Sequence, residues 1–496
     1  VGAPVRLTDE NRPWWTLAGA CGGLFLLMLD STVVTLALPD IEHDVGASAA
    51  EVQWVVNAYL LVMAALVVTA GRFGDIFGRR RVYLIGLALF GVGSVVAATA
   101  ATPEVLIAGR VIQGAGGAPV IGLSLAIVTA VFAPERQAAA VGIWTAVSSI
   151  ALGIGPLIGG ALVEFDWRLI FWVNIPLIAA GLAITILATP ETRDETAEPR
   201  IDWGGLITLG MGLGAVIFAF VESDRWGFGD ARFLGLLAGG VVLLACFVVI
   251  ERHARQPIVD LTLFRNGPYF GATAAAFALV GGYWSVIFFQ PQYMQGVLGY
   301  SAITAGVLIL PLTLPMIVVS PFAGRLIARF GARGLMGTGM LLAVAGLVVQ
   351  TRLTADSGYG ELFVGLLLFG IALGCVYAPM SSAAMAAMPA SKAGIAAGVL
   401  AMNRLLSGAV SLAVTGAIFQ ALQGDQIEDA GATKNEAFAY ALSHSFWFLV
   451  GLMAIGTALT WIFVRGPDDP GPDPAVAGDP DPADLQHHTH HRRFHL

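Results

Sequence analysis

Charge is what this 496-residue sequence has least of. Asp, Glu, Lys and Arg together make up 12% of it, about half the share usual in a soluble domain, which excludes a water-soluble globular chain of ordinary composition. Lysine occurs only at Lys392 and Lys434, and the net charge is −8; no basic patch of the kind nucleic-acid binding needs is present. The three cysteines, Cys21, Cys246 and Cys375, sit in different apolar stretches without a partner nearby in sequence. They are expected to be free packing thiols, not a disulfide framework or a metal site. His43, His253 and His444 are scattered and form no catalytic constellation. No G-x-x-x-x-G-K-[ST] loop or sizeable polar domain is available to hold ATP. An enzyme and a primary ATP-driven pump are therefore both disfavoured.

Apolar residues fill the place of charge, at 57% of the chain. Runs long enough to cross a bilayer recur from end to end. Fourteen are expected, near 14–38, 51–70, 82–100, 103–131, 138–163, 168–188, 203–222, 232–250, 267–290, 302–322, 334–351, 359–380, 394–420 and 439–464. The chain is thus expected to be an all-α integral membrane protein. Arg6 and Arg12 precede the first run and no small-residue cleavage site follows within reach, so that run is expected to be a retained helix. Positive residues collect on the cytoplasmic side of membrane proteins. With both termini placed there, nineteen Lys and Arg fall in cytoplasmic segments, five fall outside, and Arg110 and Arg404 lie within spans. Heavy use of Ala, Gly, Val and Arg is compatible with a GC-rich bacterial genome, which makes the cell (inner or plasma) membrane the expected location.

Two segments repeat at a spacing of 253 residues: Gly71-Arg72-Phe73-Gly74-Asp75-Ile76-Phe77-Gly78-Arg79-Arg80 and Gly324-Arg325-Leu326-Ile327-Ala328-Arg329-Phe330-Gly331-Ala332-Arg333. Each joins the second and third spans of a six-span block, the signature of a duplicated transporter whose halves rock about a midplane site. The expected organisation is a six-helix bundle over 1–188, a linker with two inserted spans over 189–258, a second bundle over 259–465, and a Pro/Asp/His-rich tail over 466–496 too polar to fold alone. The loop 423–436 is acidic and expected to be mobile.

Asp30 interrupts the first apolar run. A charge at membrane depth costs at least ~2.5–3.5 kcal/mol on insertion scales, so a retained one usually couples ions or meets a substrate. Burial favours the neutral form of a carboxyl, which suits a group that loads and releases a proton in each cycle. Arg110, in the fourth span, needs acceptors; it either pairs within the membrane or snorkels to an interface. Gln113 is one turn further along the same face.

With Leu29-Asp30-Ser31-Thr32-Val33-Val34, the two repeated loops, Arg110-Val111-Ile112-Gln113-Gly114 and Gly153-Ile154-Gly155-Pro156-Leu157-Ile158-Gly159-Gly160 in this order, the chain resembles the major facilitator superfamily, and within it the fourteen-helix drug:proton antiporters. The resemblance covers nearly the whole chain. It implies a fold of two six-helix bundles plus two inserted helices. It gives Asp30 and Arg110 a role in proton coupling, and Gly71, Asp75, Gly78, Arg79, Arg80, Gly324, Gly331 and Arg333 a role in gating. Ala328 replaces the second copy's aspartate, so gating is expected to be asymmetric. Gly142, Gly153, Gly155, Pro156, Gly159 and Gly160 resemble the antiporter helix, whose small residues permit close packing and whose proline permits bending.

Candidate cavity residues are Asn57, Tyr59, Gln113, Tyr283, Trp284, Phe288, Phe289, Gln290, Phe446 and Trp447, because aromatic faces suit flat or cationic lipophilic molecules. Glu222 is either a second acid or a loop residue beside Arg225. The expected activity is proton-driven export of lipophilic small molecules by a monomer embedded in lipid, with protons as coupling ion, no other cofactor and no metal. A dedicated metabolite exporter on the same fold, a non-transporting receptor and, less so, a channel are the alternatives.

Overall fold

The computed structural model describes residues 8, 10–195, 200–389, 392–428 and 431–465; Arg6 and the His-rich tail lie outside them. Fourteen spans cross in sequence: α1 (Arg12–Val45), α2 (Ala49–Phe77), α3 (Arg79–Ala98), α4 (Pro103–Val131), α5 (Pro134–Val163), α6 (Leu169–Ala188), α7 (Trp203–Val221), α8 (Ala231–His253), α9 (Gly267–Gln292), α10 (Ala302–Leu308 with Leu310–Val319), α11 (Ala323–Gln350), α12 (Tyr359–Ala386), α13 (Ala393–Glu428) and α14 (Lys434–Phe463). In hydrocarbon every backbone N–H and C=O needs an internal partner, which is why apolar runs of this length become helices.

Local chemistry sets the ends. Ser48 and Glu51 form a capping box at the start of α2, and Thr433 and Glu436 do so for α14. Pro103 and Pro134 open α4 and α5, where no N–H is missed. The two pieces of α10 meet at 41°, just ahead of Pro311, whose ring removes an intrahelical hydrogen bond. The acidic loop expected over 423–436 is shorter than that, because α13 runs on to Glu428.

α1 to α6 pack as one bundle and α9 to α14 as another. Without a hydrophobic force between helices in lipid, close approach of small residues holds them together: a Cβ at Gly116 on α4 would lie 2.4 Å from the Phe90 backbone nitrogen on α3. The inserted pair is unequal. α7 lies along α2 and also touches α13, whereas α8 packs on α7 and on the short turn at Ser223–Trp226.

The 253-residue repeat is visible in three dimensions. Gly78 and Gly331 both hold positive φ, +109° and +72°, a conformation that favours glycine. Two residues on, Arg80 donates to the Ile186 carbonyl near the end of α6 at 2.6 Å, and Arg333 donates to the Val464 carbonyl after α14 at 2.5 Å. In each half an arginine thus covers the exposed carbonyls, and the negative dipole end, of that half's last helix.

The halves meet along two seams. At the first, Gln53 on α2 donates to the Leu412 carbonyl on α13 at 2.7 Å. At the second, Thr313 on α10 donates to the Gly153 carbonyl on α5 at 2.8 Å, and a Cβ at Gly160 would lie 2.5 Å from the Ala302 carbonyl oxygen. From Ala151 to Val163, α5 is mostly packed. Toward the end of the molecule that carries Arg79 to Arg81 and Arg333, the basic end, it stands open: Gly142 has no neighbour within 4 Å, and Ile143 and Ile150 are exposed. α5 is therefore held against α10 beyond Ala151 and stands open nearer the basic end, while α2 and α13 stay together as far as Val68 and Gly398.

Candidate functional site

Asp30 lies midway along α1 and is 2% exposed; Arg110 on α4 is 0% exposed. The guanidinium Nη1 donates to Asp30 Oδ2 at 2.6 Å and to Gln113 Oε1 at 2.7 Å, and Nε donates to the Val55 carbonyl at 2.9 Å. Its plane lies over the Tyr59 ring, 4.2 Å from the centroid. Asp30 Oδ1 accepts from Gln113 Nε2 at 3.1 Å and from Asn174 Nδ2 at 2.8 Å. Ser94 Oγ accepts from both amides. Five helices of one bundle thereby supply a buried polar network, in which only Asn174 Oδ1 and the Tyr59 hydroxyl lack a partner. Its two charges neutralise each other, and three donors face the carboxylate, which is the arrangement a buried ion pair requires. Arg110 does not snorkel. Its partner lies inside the bundle, close enough to outweigh the pull of an interface.

Asn174 and Ser94 belong to this network and were not among the expected residues. Their signal was present, an amide inside Leu169-Ile170-Phe171-Trp172-Val173-Asn174-Ile175 and a hydroxyl in the apolar third span, but single polar residues of this kind are common in helices. Tyr59 and Gln113, expected in a substrate cavity, are instead fully enclosed parts of the Asp30 network.

The other cavity candidates divide in the same way. Phe288, Phe289 and Phe446 are core: Phe289 packs on Phe288 at 4.9 Å and on Phe419 at 4.8 Å between centroids, with Phe446 at 6.5 Å. Gln290 is buried with its amide donating to Gln350 at 2.6 Å, and Trp284 is wedged against Gly408. Trp447 is 54% exposed on a stripe of α14 that includes Tyr440, Ile455 and Ile462. That spacing marks the bundle's outer face, so Trp447 meets lipid. Both Asn57 amide atoms and the Tyr283 hydroxyl are buried without a protein partner, as are the Tyr59 hydroxyl and Gln290 Oε1. Glu222 pairs with Arg225 at 3.5 Å in the turn after α7, which is the loop reading.

At the basic end Asp75 pairs with Arg79 at 2.8 Å. Glu191 accepts from the backbone N–H of Arg80 at 3.0 Å and of Arg81 at 3.3 Å, and the Thr192 carbonyl accepts from the Arg79 N–H at 2.8 Å. The start of the linker thus caps α3, a contact that the motif did not announce. A Cβ added at Gly71 or Gly324 would meet nothing within 4 Å, although the Gly71 backbone nitrogen lies 3.5 Å from the Cβ position of Gly122 on α4. On α5, Gly155 and Gly159 lie against Thr32 and Val33 of α1, Gly153 and Gly160 against α10, and the Pro156 carbonyl would be 2.5 Å from a Cβ at Gly306. Gly142 contributes no such packing.

Residues 20–412 match the family model of the Major Facilitator Superfamily. The chain is 35% identical to the tetracenomycin C resistance and export protein of Streptomyces glaucescens, over 86% of this chain and 79% of that one. It is 35% identical to the multidrug resistance protein Stp of Mycobacterium tuberculosis, over 82% and 76%, and 32% identical to the puromycin resistance protein pur8 of Streptomyces alboniger, over 92% of each. Its fold is similar to that of a bacterial homologue of the human lysosomal transporter Spinster in an inward-facing conformation, with TM-score 0.65 and 18% identity over 92% of this chain and 98% of the other. On its fold, its two seams and these relatives, the chain belongs to the Major Facilitator Superfamily, among its drug-efflux transporters.

Proposed function

We propose that this protein is a proton-driven exporter of lipophilic small molecules that works by alternating access. The observation that carries the proposal is the Asp30–Arg110 pair, a charged couple wholly inside one rocking half. Protonation of Asp30 discharges the carboxylate and frees one guanidinium donor. The network then shifts toward Gln113 and the Val55 carbonyl, and the strain passes along α1 into α5 through the Thr32 and Gly155 contact. One proton returning down a 100 mV potential supplies ~2.3 kcal/mol.

The basic end is cytoplasmic in this reading, with both termini there, so the side on which α5 stands open faces inward. Asp75, Arg79, Arg80 and Arg333 then border the cytoplasmic gate, and the Gly153 to Gly160 stretch forms the outer seal. The transporter acts as a monomer in the plasma membrane and needs no cofactor beyond protons. Two of the relatives are named for a single compound, tetracenomycin C and puromycin, which favours a dedicated cargo as the second reading.

The test is transport by the purified protein in vesicles under an imposed pH gradient, wild type against Asp30→Asn. Gradient-driven export should be lost in the variant while ligand binding persists. Undiminished coupled export without Asp30 would overturn the proposal.

A further inference from the structure

Arg404 is the second arginine within the spans, and it has no acid. It lies on α13 eleven residues past the start of the helix, roughly 16 Å along the axis at 1.5 Å per residue. Its Nη2 donates to the Ser381 hydroxyl on α12, its plane lies 4.6 Å from the Tyr377 ring centroid, and its Nε is buried without a partner. No carboxylate among the described residues lies within ion-pair distance of it. The sequence explains why: there is no Asp or Glu between Asp260 and Asp356, nor between Glu361 and Asp425.

Arg404, Tyr377 and Ser381 are each half-buried. On α9, the Tyr283 hydroxyl is buried and unpartnered. The neighbouring Asn403 donates to the Thr273 carbonyl, also on α9, at 2.9 Å. An uncompensated guanidinium, an unused donor on it and an aromatic plane therefore meet between α12 and α13. Among the described residues the only buried carboxylate within the spans of the other half, Asp30, is already paired with Arg110.

A cation entering here would find no counter-charge and would meet Arg404. An anion would find a charge-assisted donor, which is the strong kind, beside ring faces for its apolar body. We infer that Arg404, with Tyr377 and Ser381, forms an anion-recognition site, and that the transported class is lipophilic aromatic molecules bearing a carboxylate or phenolate. This assignment rests on the exporter reading for the words "transported class", while the binding preference stands without it. It also reverses the charge expected from aromatic content alone, since aromatic residues do not by themselves select sign when a guanidinium lies among them.

The test uses two xanthene dyes of similar size and opposite charge, anionic carboxyfluorescein and cationic rhodamine 123, with the full-length protein in lipid nanodiscs. Fluorescence polarisation gives the affinities of wild type, Arg404→Gln and Arg404→Lys, and reconstituted vesicles give gradient-driven flux of both dyes. Wild type should bind the anion at least tenfold more tightly than the cation. Arg404→Gln should lose about tenfold for the anion with the cation unchanged or improved, and Arg404→Lys should keep much of the preference. If wild type prefers the cation, or if Arg404→Gln and Arg404→Lys weaken both dyes equally, the site is a packing or topology arginine and the inference fails. Flux without charge preference sinks this inference and leaves the exporter reading intact. An Arg404-dependent preference without flux of either dye supports the site and counts against export.

Discussion

Replacing Arg110 with Met should be more damaging than replacing Asp30 with Asn, and the second change should partly repair the first. Both side chains of the pair are 1% exposed. Met at 110 leaves a carboxylate in the bundle core with only the Gln113 and Asn174 amides as donors. Breaking a buried pair from one side costs about 3–5 kcal/mol, because the remaining charge is uncompensated. Asn at 30 leaves a guanidinium that still donates to the Val55 carbonyl and Gln113 and still lies over Tyr59; the expected loss is nearer the lower end of that range. With both changes no charge remains, so the double variant should be more stable than Arg110→Met alone. The assay is thermal unfolding of the detergent-purified protein, followed by tryptophan fluorescence, on all four members of the cycle. A double variant as unstable as the sum of the singles would refute the reasoning, because it would mean that the two side chains act independently despite their 2.6 Å contact.

Gly155→Ala should destabilise by about 1–3 kcal/mol, the usual effect of overpacking: the new Cβ would fall 1.9 Å from Thr32 Oγ1, on a β-branched side chain with little rotamer freedom. Gly142→Ala, in open space, should leave the melting temperature unchanged or slightly raised; equal losses at both positions would contradict the packing described. Outside the spans, Asp260 accepts from Lys392 Nζ at 2.9 Å and from Thr262. Burial pushes the Asp260 carboxyl up, but the Thr262 and Lys392 hydrogen bonds outweigh it and hold it below its ordinary value. Its stabilisation is therefore full above the ordinary aspartate value, about 3.9, and is lost as pH falls through the depressed one. At this partly exposed pair the effect is below about 1 kcal/mol. Limited proteolysis of the α8–α9 linker should become acid-sensitive in wild type and less so in Lys392→Ala; identical acid profiles would rule the pair out.

The helices were legible because hydrocarbon leaves apolar runs only one backbone solution, and the loop repeat was legible because Gly78 and Gly331 must both adopt a backbone geometry that other residues resist. Asp30 and Arg110 stood out for the same energetic reason, a charge where charge is costly. Aromatic residues did not sort themselves. In a membrane protein Phe289, packed in the core, and Trp447, facing lipid, are equally at home next to apolar neighbours, so sequence carries no sign of which surface each meets. Asn174 and Glu191 were missed because their importance depends on what the fold brings to them: a carboxylate 144 residues away in one case, and the first turn of α3 in the other.

The inserted helices change what the two seams can do. α7 runs antiparallel along α2, with Gly210 opposite Ala65, Gly214 opposite Leu61, and Phe218 against Trp54, and it also rests on α13, a member of the other half. It is a splint across one seam; among the described residues neither inserted helix packs on the α5–α10 seam. A solute dissolved in the bilayer core therefore faces a wall on one flank and only the α5–α10 contact on the other. The two flanks of an otherwise pseudo-symmetric machine are thereby made inequivalent. Under the proposed alternating access, α7 must slide on at least one of its two supports, and the glycines at 210 and 214, which present bare backbone to α2, make that the smoother of the two sliding surfaces.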